Sequence, residues 1–501
     1  MRKAVLGLLP LAIAVAVLGV SMAGASHGQP GFDTAKPPYL LPAAPGVVID
    51  PILTTGDIVP GSQTQPSIGG PPVPYQMTGI ADGIGAYKSR GGDDDDDDDG
   101  GRGRGGDVVV VFNHETGRTF PGPVTGPAGV DARITRLEID KRTRTVLDAE
   151  YLFTGHEGFE RFCSSFLTMI HGRPMYFTGE EATDVPGTPA GRDGTSIALD
   201  PETGMWRATP HWGRLNHENV VPIRLSKWVI LSTDDDFRPG PSYLYAYIAN
   251  DFNRAVRGVE GSLYVWKADN NAKNQNSTVV KGESVPGRFI PLSQAPDNAT
   301  SASLKAAATR ENAFRFDRLE DLDPFPGKKG RTYFVDTGKP PQTVRGRLYQ
   351  FDIDPRDPTR ATLKMVLNGD APDNDDIVNP DNIDASKKVL VLQEDRESAF
   401  RGEPSRVLVW NYNPNSQPRT VARVARPETA SRFNWESSGI FDASHLLGKD
   451  WWLLDVQAHD QQALQPGPTL VPNTVSGEDA QFLAIKIPNS TGDGDDDDDD
   501  D

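Results

Sequence analysis

The sequence predicts an all-β fold, a β-propeller of about six blades that follows a low-complexity N-terminal segment. Three observations support this prediction. The chain has 50 glycines and 42 prolines in 501 residues, which is typical of turn-rich chains and unfavourable for long helices. Strand-length apolar runs recur between polar turns from Val108 onward. Polar markers recur in the same region at intervals near those of propeller repeats.

The N-terminus has the pattern of an export signal. Arg2 and Lys3 are followed by an apolar run over 4–20 and by small residues at 23–25, where a signal peptidase would cleave. No later segment is apolar enough to cross a membrane, so we expect no stable membrane insertion after cleavage and a periplasmic or extracellular location. An uncleaved membrane anchor is the alternative, because the apolar run approaches the length of a span.

The acidic charge is concentrated in two places. The formal net charge is −19, and the aspartate runs at 93–99 and 495–501 carry fourteen of these charges. The remainder is an ordinary acidic surface without a basic groove, so nucleic acid is not an expected partner. The runs are interpreted as solvated, flexible segments, with weak calcium attraction as the alternative.

Four segments follow from this composition. We predict a signal peptide at 1–25, a Pro/Gly/Asp-rich low-complexity segment at 26–107, a β-propeller domain at 108–488 and an acidic tail at 489–501. Within the predicted propeller, the apolar runs are rich in β-branched and aromatic residues, as strands are. They lie at 108–112, 228–231, 333–335, 389–392 and 451–454.

The blade number is estimated from the spacing of polar markers. They are separated by about 48, 55, 102, 62 and 54 residues, and the long interval is close to two units. The markers are Glu115, Cys163, Glu218, Glu320, Asn382 and Glu436. An assembly of β-sandwiches is the alternative, which would explain the strands but not the spacing.

Residues at matched positions of successive blades meet at the central channel of a propeller. These positions are rich in groups that bind metals, and many carboxylates facing one channel would repel each other unless cations neutralised them. Oxygen ligands suit calcium, and a thiolate among carboxylates suits iron. For each residue alone, a solvated loop is the alternative. The candidates are Glu115, Cys163, Glu180, Glu181, Glu218, Asp234, Asp235, Glu320, Asp321, Asp381, Asn382, Glu394, Asp395 and Asp455.

Cys163 is the only cysteine, so it forms no intrachain disulfide. In an exported protein such a cysteine is a free thiol, an intermolecular bridge or a ligand. A small buried packing residue is the alternative interpretation. His114 and His217 are interpreted as hydrogen-bonded core histidines rather than ligands.

The order of several short motifs resembles the PhoX family of secreted alkaline phosphatases, exported six-bladed propellers that carry iron and calcium in the channel. The motifs are Cys163 with the glycine and paired glutamates at 179–181, GRLNHE at 213–218, RLED at 318–321, PDNI at 380–383 and EDR at 394–396. The sequence departs from the family at 164–167, where a stretch with glycine and tryptophan is missing, and at Gly179, which replaces a second cysteine. It therefore resembles a divergent member.

The resemblance implies a set of metal ligands and a reaction. Cys163 would bridge two iron ions, with Glu218 and Glu320 as iron ligands. The other predicted ligands, of iron or calcium, are Glu180, Glu181, Asp321, Asn382, Glu394 and Asp395. The implied reaction is hydrolysis of small-molecule phosphate monoesters by a monomer.

Arginines near the motifs are predicted to contact the phosphate. Arg318 and Arg396, with Arg401 nearby, present forked donors that suit phosphate oxygens. Pairing with neighbouring carboxylates is the alternative. A rival function is that of a non-catalytic exported propeller that binds calcium and serves as a surface binding or structural module.

Overall fold

The computed structural model describes residues 31–62, 74–89, 107–117, 132–155, 157–183, 194–236, 239–292, 299–341, 343–396, 403–425, 435–459 and 478–491. The predicted signal peptide at 1–25, both aspartate runs and Arg401 lie outside these residues. Within the described ranges, no helix has the length and apolar character needed to cross a membrane.

The described chain consists mainly of strands, which confirms the predicted all-β class. β4 shows why: its four consecutive valines and a phenylalanine favour extended backbone, and all of its residues are buried between neighbouring sheets. In chain order the strands are β1 (Leu40–Pro42), β2 (Val48–Thr54), β3 (Ala81–Lys88), β4 (Val108–His114), β5 (Arg133–Ile139), β6 (Val146–Thr154), β7 (Phe162–Ile170), β8 (Arg173–Glu180), β9 (Ser196–Asp200), β10 (Met205–Ala208), β11 (His217–Arg224), β12 (Trp228–Asp234), β13 (Leu244–Ala249), β14 (Ser262–Ala268), β15 (Ser284–Pro291), β16 (Leu319–Pro324), β17 (Arg331–Asp336), β18 (Arg347–Ile353), β19 (Arg360–Asn368), β20 (Pro380–Ala385), β21 (Leu390–Glu394), β22 (Arg406–Trp410), β23 (Arg419–Val424), β24 (Glu436–Asp442), β25 (Trp451–Ala458) and β26 (Asp479–Lys486). The α-helices are α1 (Phe252–Val256), α2 (Ser301–Arg310) and α3 (Ser444–Leu447).

The strands form five sheets in a propeller-like arrangement. Four sheets contain four or five strands, in the orders β3-β4-β5-β6, β10-β9-β8-β7, β1-β23-β22-β21-β20 and β2-β26-β25-β24. The fifth has nine strands, in the order β11-β12-β13-β14-β15-β19-β18-β17-β16. Six strands line the centre, and each contacts the next around a closed ring: β3, β7, β11, β16, β20 and β24.

The predicted count of about six blades is wrong, because the strands of the described residues do not form six separate sheets. β15 pairs with β14 on one side and with β19 on the other. It therefore joins the meander β11–β14 to the meander β16–β19. β15 occupies the outer edge of both meanders and satisfies backbone groups that would otherwise be exposed there.

The folded region also begins earlier than the predicted start at residue 108. β1, β2 and β3 lie in the segment 26–107, and β1 and β2 complete the two sheets formed by the C-terminal strands. Leu40 pairs with Val424, and Val48 pairs with Lys486. The Gly/Pro-rich composition of this segment conceals these short strands, because the composition itself favours turns.

Apolar side chains fill the spaces between neighbouring sheets. Between the first and last sheets, Ile84 and Phe112 pack with Leu453 and Phe482. The rings of Phe112 and Phe482 are stacked with their centroids 5.3 Å apart. This packing fixes the inner strands, and therefore the side chains that those strands present to the centre.

Candidate metal centre

Each of the six central strands has a break in its pairing register close to its first residue. In β3, for example, the break lies between Ala81 and Ile84, and in β7 it lies between Phe162 and Ser165. The other four strands have the same feature. Such bulges redirect side chains, and an acidic or thiol residue lies beside each of them. These residues form the inner ring: Asp82, Cys163, Glu218, Glu320, Asp381 and Glu436.

A second ring comes from the strand that neighbours each central strand. In an antiparallel pair the end of this neighbour lies beside the start of the central strand. The residue that follows the end of the neighbour is therefore close to the inner ring, and in five of the six pairs it is ionisable. The second ring comprises Glu115, Glu181, Asp235, Thr337, Asp395 and His459.

Ligand atoms from the two rings converge in four overlapping groups, each with its atoms within 4.8 Å of one another. Cys163, Glu218 and Asp381 each belong to two neighbouring groups, so each has the position of a bridging ligand. The groups are Asp82–Glu115–Cys163, Cys163–Glu181–Glu218, Glu218–Glu320–Asp381 and Asp381–Asp395–Glu436.

Burial and mutual repulsion disfavour the charged forms of these side chains. Burial and then the Glu115 carboxylate raise the pKa of Asp82 to about 7. Burial and then Asp381 raise the pKa of Glu218 well above its usual value, and burial and then Asp235 do the same for Glu320. Cations placed among these groups would displace their protons and relieve the repulsion.

Two arginines contact the rings, and each precedes an inner-ring residue by two positions. Arg161 donates from Nε to Glu115 Oε1 (2.9 Å) and from Nη2 to Glu181 Oε2 (2.5 Å). Arg318 donates from Nη2 to Asp235 Oδ2 (2.6 Å) and lies 3.0 Å from Glu320 Oε1. Both side chains are 18% exposed, more than the carboxylates they contact, so they lie toward the opening of the site.

Four predicted ligands lie outside the four groups, and three of them are carboxylates that accept hydrogen bonds from the surrounding chain. Glu180 accepts from the backbone N–H of Glu160 and of Thr195, both at 2.9 Å. Asp321 accepts from the backbone N–H of Leu322 and Ile383 and from the Asn219 amide. Glu394 accepts from Arg396 Nε (2.8 Å), Arg406 Nη2 (2.6 Å) and the Val378 N–H (2.9 Å).

The two remaining predicted residues and the two histidines also have protein partners. Asn382 donates to Ser164 Oγ (2.7 Å), and Arg396 donates to Glu394 and to Glu403. His114 contacts the Gly79 carbonyl at 3.0 Å, and His217 contacts the Gly213 carbonyl at 3.1 Å. Burial lowers the pKa of His114 to about 3 and that of His217 to about 4, so both are neutral.

Seven residues of the four groups are among the ligand candidates predicted from the sequence: Glu115, Cys163, Glu181, Glu218, Glu320, Asp381 and Asp395. Glu436 was predicted only as a spacing marker, and Asp82 and Arg161 were not predicted. Asp82 lies in the segment assigned to low complexity, although an aspartate directly before an apolar strand repeats the pattern of the other markers. Arg161 was also missed, although it precedes Cys163 as Arg318 precedes Glu320. Matching these offsets would have identified it.

No protein-family profile and no curated protein sequence matches this chain. Among solved structures, Pseudomonas fluorescens PhoX in complex with vanadate, a transition state analogue, has a TM-score of 0.58 and 14% identity, with 93% of this chain and 99% of that chain covered. The ectodomain of the parainfluenza virus 5 hemagglutinin-neuraminidase has a TM-score of only 0.33, with 10% identity and coverage of 75% and 80%, and supports no conclusion. The resemblance to PhoX that the sequence motifs predict is thus confirmed for the fold.

Proposed function

We propose that this protein is an exported, metal-dependent phosphomonoesterase whose active site is the pair of rings at the centre of the fold. The observation that carries the proposal is the set of four overlapping ligand groups, contributed by all six central strands. The reaction class is suggested by the fold shared with PhoX, whose solved structure is a complex with vanadate, a transition state analogue. The proposed location is periplasmic or extracellular, on the basis of the N-terminal signal pattern.

The donor set fits metal ions. Eight carboxylates suit calcium, and the single thiol suits iron at the position shared by two groups. The proposed ligands are Asp82, Glu115, Cys163, Glu181, Glu218, Glu320, Asp381, Asp395 and Glu436. The proposed supporting residues, which are hydrogen-bonded to the chain that surrounds these ligands rather than bound to a metal, are Glu180, Asp321, Asn382 and Glu394.

A buried carboxylate beside the rings, Asp455, supports the proposal that cations bind there. Asp455 is fully buried, and neither of its oxygens has a hydrogen-bond partner among the residues that the structure describes. Burial and then the neighbouring Asp82 raise the pKa of Asp455 well above its usual value. A charged carboxylate in this position requires a counter-ion.

Bound metals would supply Lewis acidity toward phosphoryl oxygens and a hydroxide nucleophile at neutral pH. The chain itself would bind and orient the substrate. Arg161 and Arg318 present positive charge at the opening, and their forked donors suit a phosphate dianion. Their contacts with Glu115, Glu181 and Asp235 hold the guanidinium groups in place before substrate binds.

The test combines elemental analysis with a chromogenic phosphomonoester assay on the protein purified from its exported form. We expect iron and calcium in the wild type, together with turnover. Cys163→Ser should lose iron and nearly all turnover but keep its β-rich circular dichroism spectrum, because an alkoxide is harder and far more basic than a thiolate. Calcium without iron and without turnover would instead support a non-catalytic calcium-binding module. A folded Cys163→Ser variant with wild-type iron and turnover would refute the ligand role of Cys163.

A further inference from the structure

Next to two residues of the inner ring, Cys163 and Asp381, two polar side chains meet across the channel. Asn382 in β20 donates from Nδ2 to Ser164 Oγ in β7 at 2.7 Å. In the central ring, β7 has β3 and β11 as neighbours, whereas β20 has β16 and β24. This hydrogen bond therefore spans the channel instead of linking adjacent strands.

The same serine contacts one of the shared ligands. Ser164 Oγ lies 2.5 Å from Glu218 Oε1, and Ser164, Asn382 and Glu218 are all at most 2% exposed. Glu218 belongs to two of the four ligand groups, so a change in its orientation affects both.

The direction of each hydrogen bond follows from the donors available. A serine hydroxyl has one proton, and the Asn382 amide nitrogen can only donate. Ser438 Oγ lies 3.4 Å from Asn382 Oδ1, which is consistent with the amide oxygen facing Ser438. Because the Ser164 oxygen accepts from Asn382, its single proton is directed to Glu218 Oε1.

We propose that Ser164, oriented by Asn382, is a positioning residue. It fixes one oxygen of Glu218 and leaves the other oxygen to bind a metal ion in the ligand groups that Glu218 shares. The inference rests on the proposed function, since it assigns this contact to the same site. A ligand held in one orientation binds a metal without the entropic cost of ordering its side chain.

The test compares Ser164→Ala with Ser164→Thr, which retains a hydroxyl. The matched control is Ser196→Ala in β9. This variant also removes a buried hydroxyl, which is hydrogen-bonded to Thr209 Oγ1 at 2.8 Å. Each full-length variant is stripped with a chelator and titrated with calcium alone and with ferrous iron alone, and phosphomonoester turnover is measured after reloading. Thermal unfolding confirms that each variant folds.

We expect Ser164→Ala to lose metal affinity and kcat by roughly ten- to a hundredfold, with Ser164→Thr within about threefold of wild type and Ser196→Ala unchanged. Wild-type affinity and kcat in Ser164→Ala would overturn the proposal. Equal losses in the alanine and threonine variants would also overturn it, because packing rather than the hydroxyl would then be responsible. A wild type that binds metals but hydrolyses no phosphomonoester would refute the proposed function while the metal titrations still decide the role of Ser164.

Discussion

Gly179 and His217 share one small space between the second sheet and the nine-stranded sheet. A Cβ atom on Gly179 would lie 2.5 Å from Cβ and 2.7 Å from Cγ of His217, closer than carbon atoms approach in proteins. The imidazole of His217 therefore occupies the volume that any larger residue at 179 would need. A cysteine at this position, which the PhoX resemblance leads one to expect, would clash with His217 in the same way.

Gly179→Ala should destabilise the protein by about 1–3 kcal/mol, the cost of overpacking a close-packed interior. His217→Gly removes both of the contacting carbon atoms and should relieve the clash, so the double variant should be more stable than the sum of the two single effects implies. Chemical denaturation of the four proteins in this cycle gives the coupling energy directly. Strictly additive effects would show that the two residues do not compete for the same space.

Asp381 and Glu394 lie in the same sheet but differ in their neighbours. Asp381 belongs to two ligand groups, and burial and then Asp395 raise its pKa well above the usual value. Glu394 is held by Arg396 and Arg406. Asp381→Asn should lower bound metal per chain and leave the metal-free protein equally stable or more stable, because it removes repulsion.

Glu394→Gln is the matched control and should behave in the opposite way. It leaves two buried guanidinium groups without their shared carboxylate, which we expect to cost about 3 kcal/mol of unfolding free energy. Metal content should stay at the wild-type level. If the glutamine variant lost metal and the asparagine variant did not, Glu394 would be a ligand, as the sequence motifs imply.

Asp234 makes the stability depend on pH in a defined direction. It is fully buried, with Lys305 Nζ 3.3 Å from Oδ2. Burial raises the pKa of Asp234 from 3.8 to about 6, although Lys305 opposes the shift. The folded state binds this proton more tightly than the unfolded chain, so the associated stability is present below about pH 3.8 and is lost as the pH rises through about 6.

Asp234→Asn removes this titration. The difference in unfolding free energy between the variant and wild type should be about 2 kcal/mol more favourable to the variant at pH 8 than at pH 4.5. The full titration, from a pKa of 3.8 in the unfolded chain to about 6 in the folded protein, corresponds to about 3 kcal/mol. Denaturant unfolding at both pH values measures this difference. The same stability change at both values would show that Asp234 does not titrate with a raised pKa.

Gln481 in β26 forms hydrogen bonds that hold residues 37–54 against the last sheet. Its Oε1 accepts from the Tyr39 N–H (2.7 Å), and its Nε2 donates to Thr54 Oγ1 (3.0 Å) and to the Pro37 carbonyl (3.1 Å). Gln481→Ala should cost about 1–3 kcal/mol, because it leaves buried donors and acceptors without partners. Limited proteolysis should then cut the chain between residues 31 and 54 sooner than in wild type. Unchanged proteolysis would show that strand pairing alone holds this segment.

The strands and most of the ligand candidates can be predicted from local stretches of the sequence. Which strands pair with each other cannot be predicted in this way. Cys163, Glu218 and Glu320 were predicted because each lies within a recognisable motif at the start of a strand, where it is the second residue. Glu180 and Glu181 are indistinguishable in sequence, whereas alternation along β8 directs one toward backbone N–H groups and the other into the rings. The role of β15, with Pro286, Gly287 and Pro291, depends on which strand edges it meets, and this is a tertiary property.

A substitution at Arg161 tests most directly whether this side chain binds the phosphate of the substrate. Arg161→Lys keeps the positive charge between Glu115 and Glu181 but replaces a planar fork with a single ammonium group. We expect KM for a phosphomonoester to rise about tenfold, corresponding to a loss of roughly 1.4 kcal/mol of binding, while bound metal stays constant. Arg396→Lys is the matched control, because Arg396 is 4% exposed and donates to Glu394 and Glu403. It should lower the melting temperature and leave KM unchanged. A rise in KM with Arg396→Lys and none with Arg161→Lys would place the phosphate beside Arg396, as the EDR motif predicts.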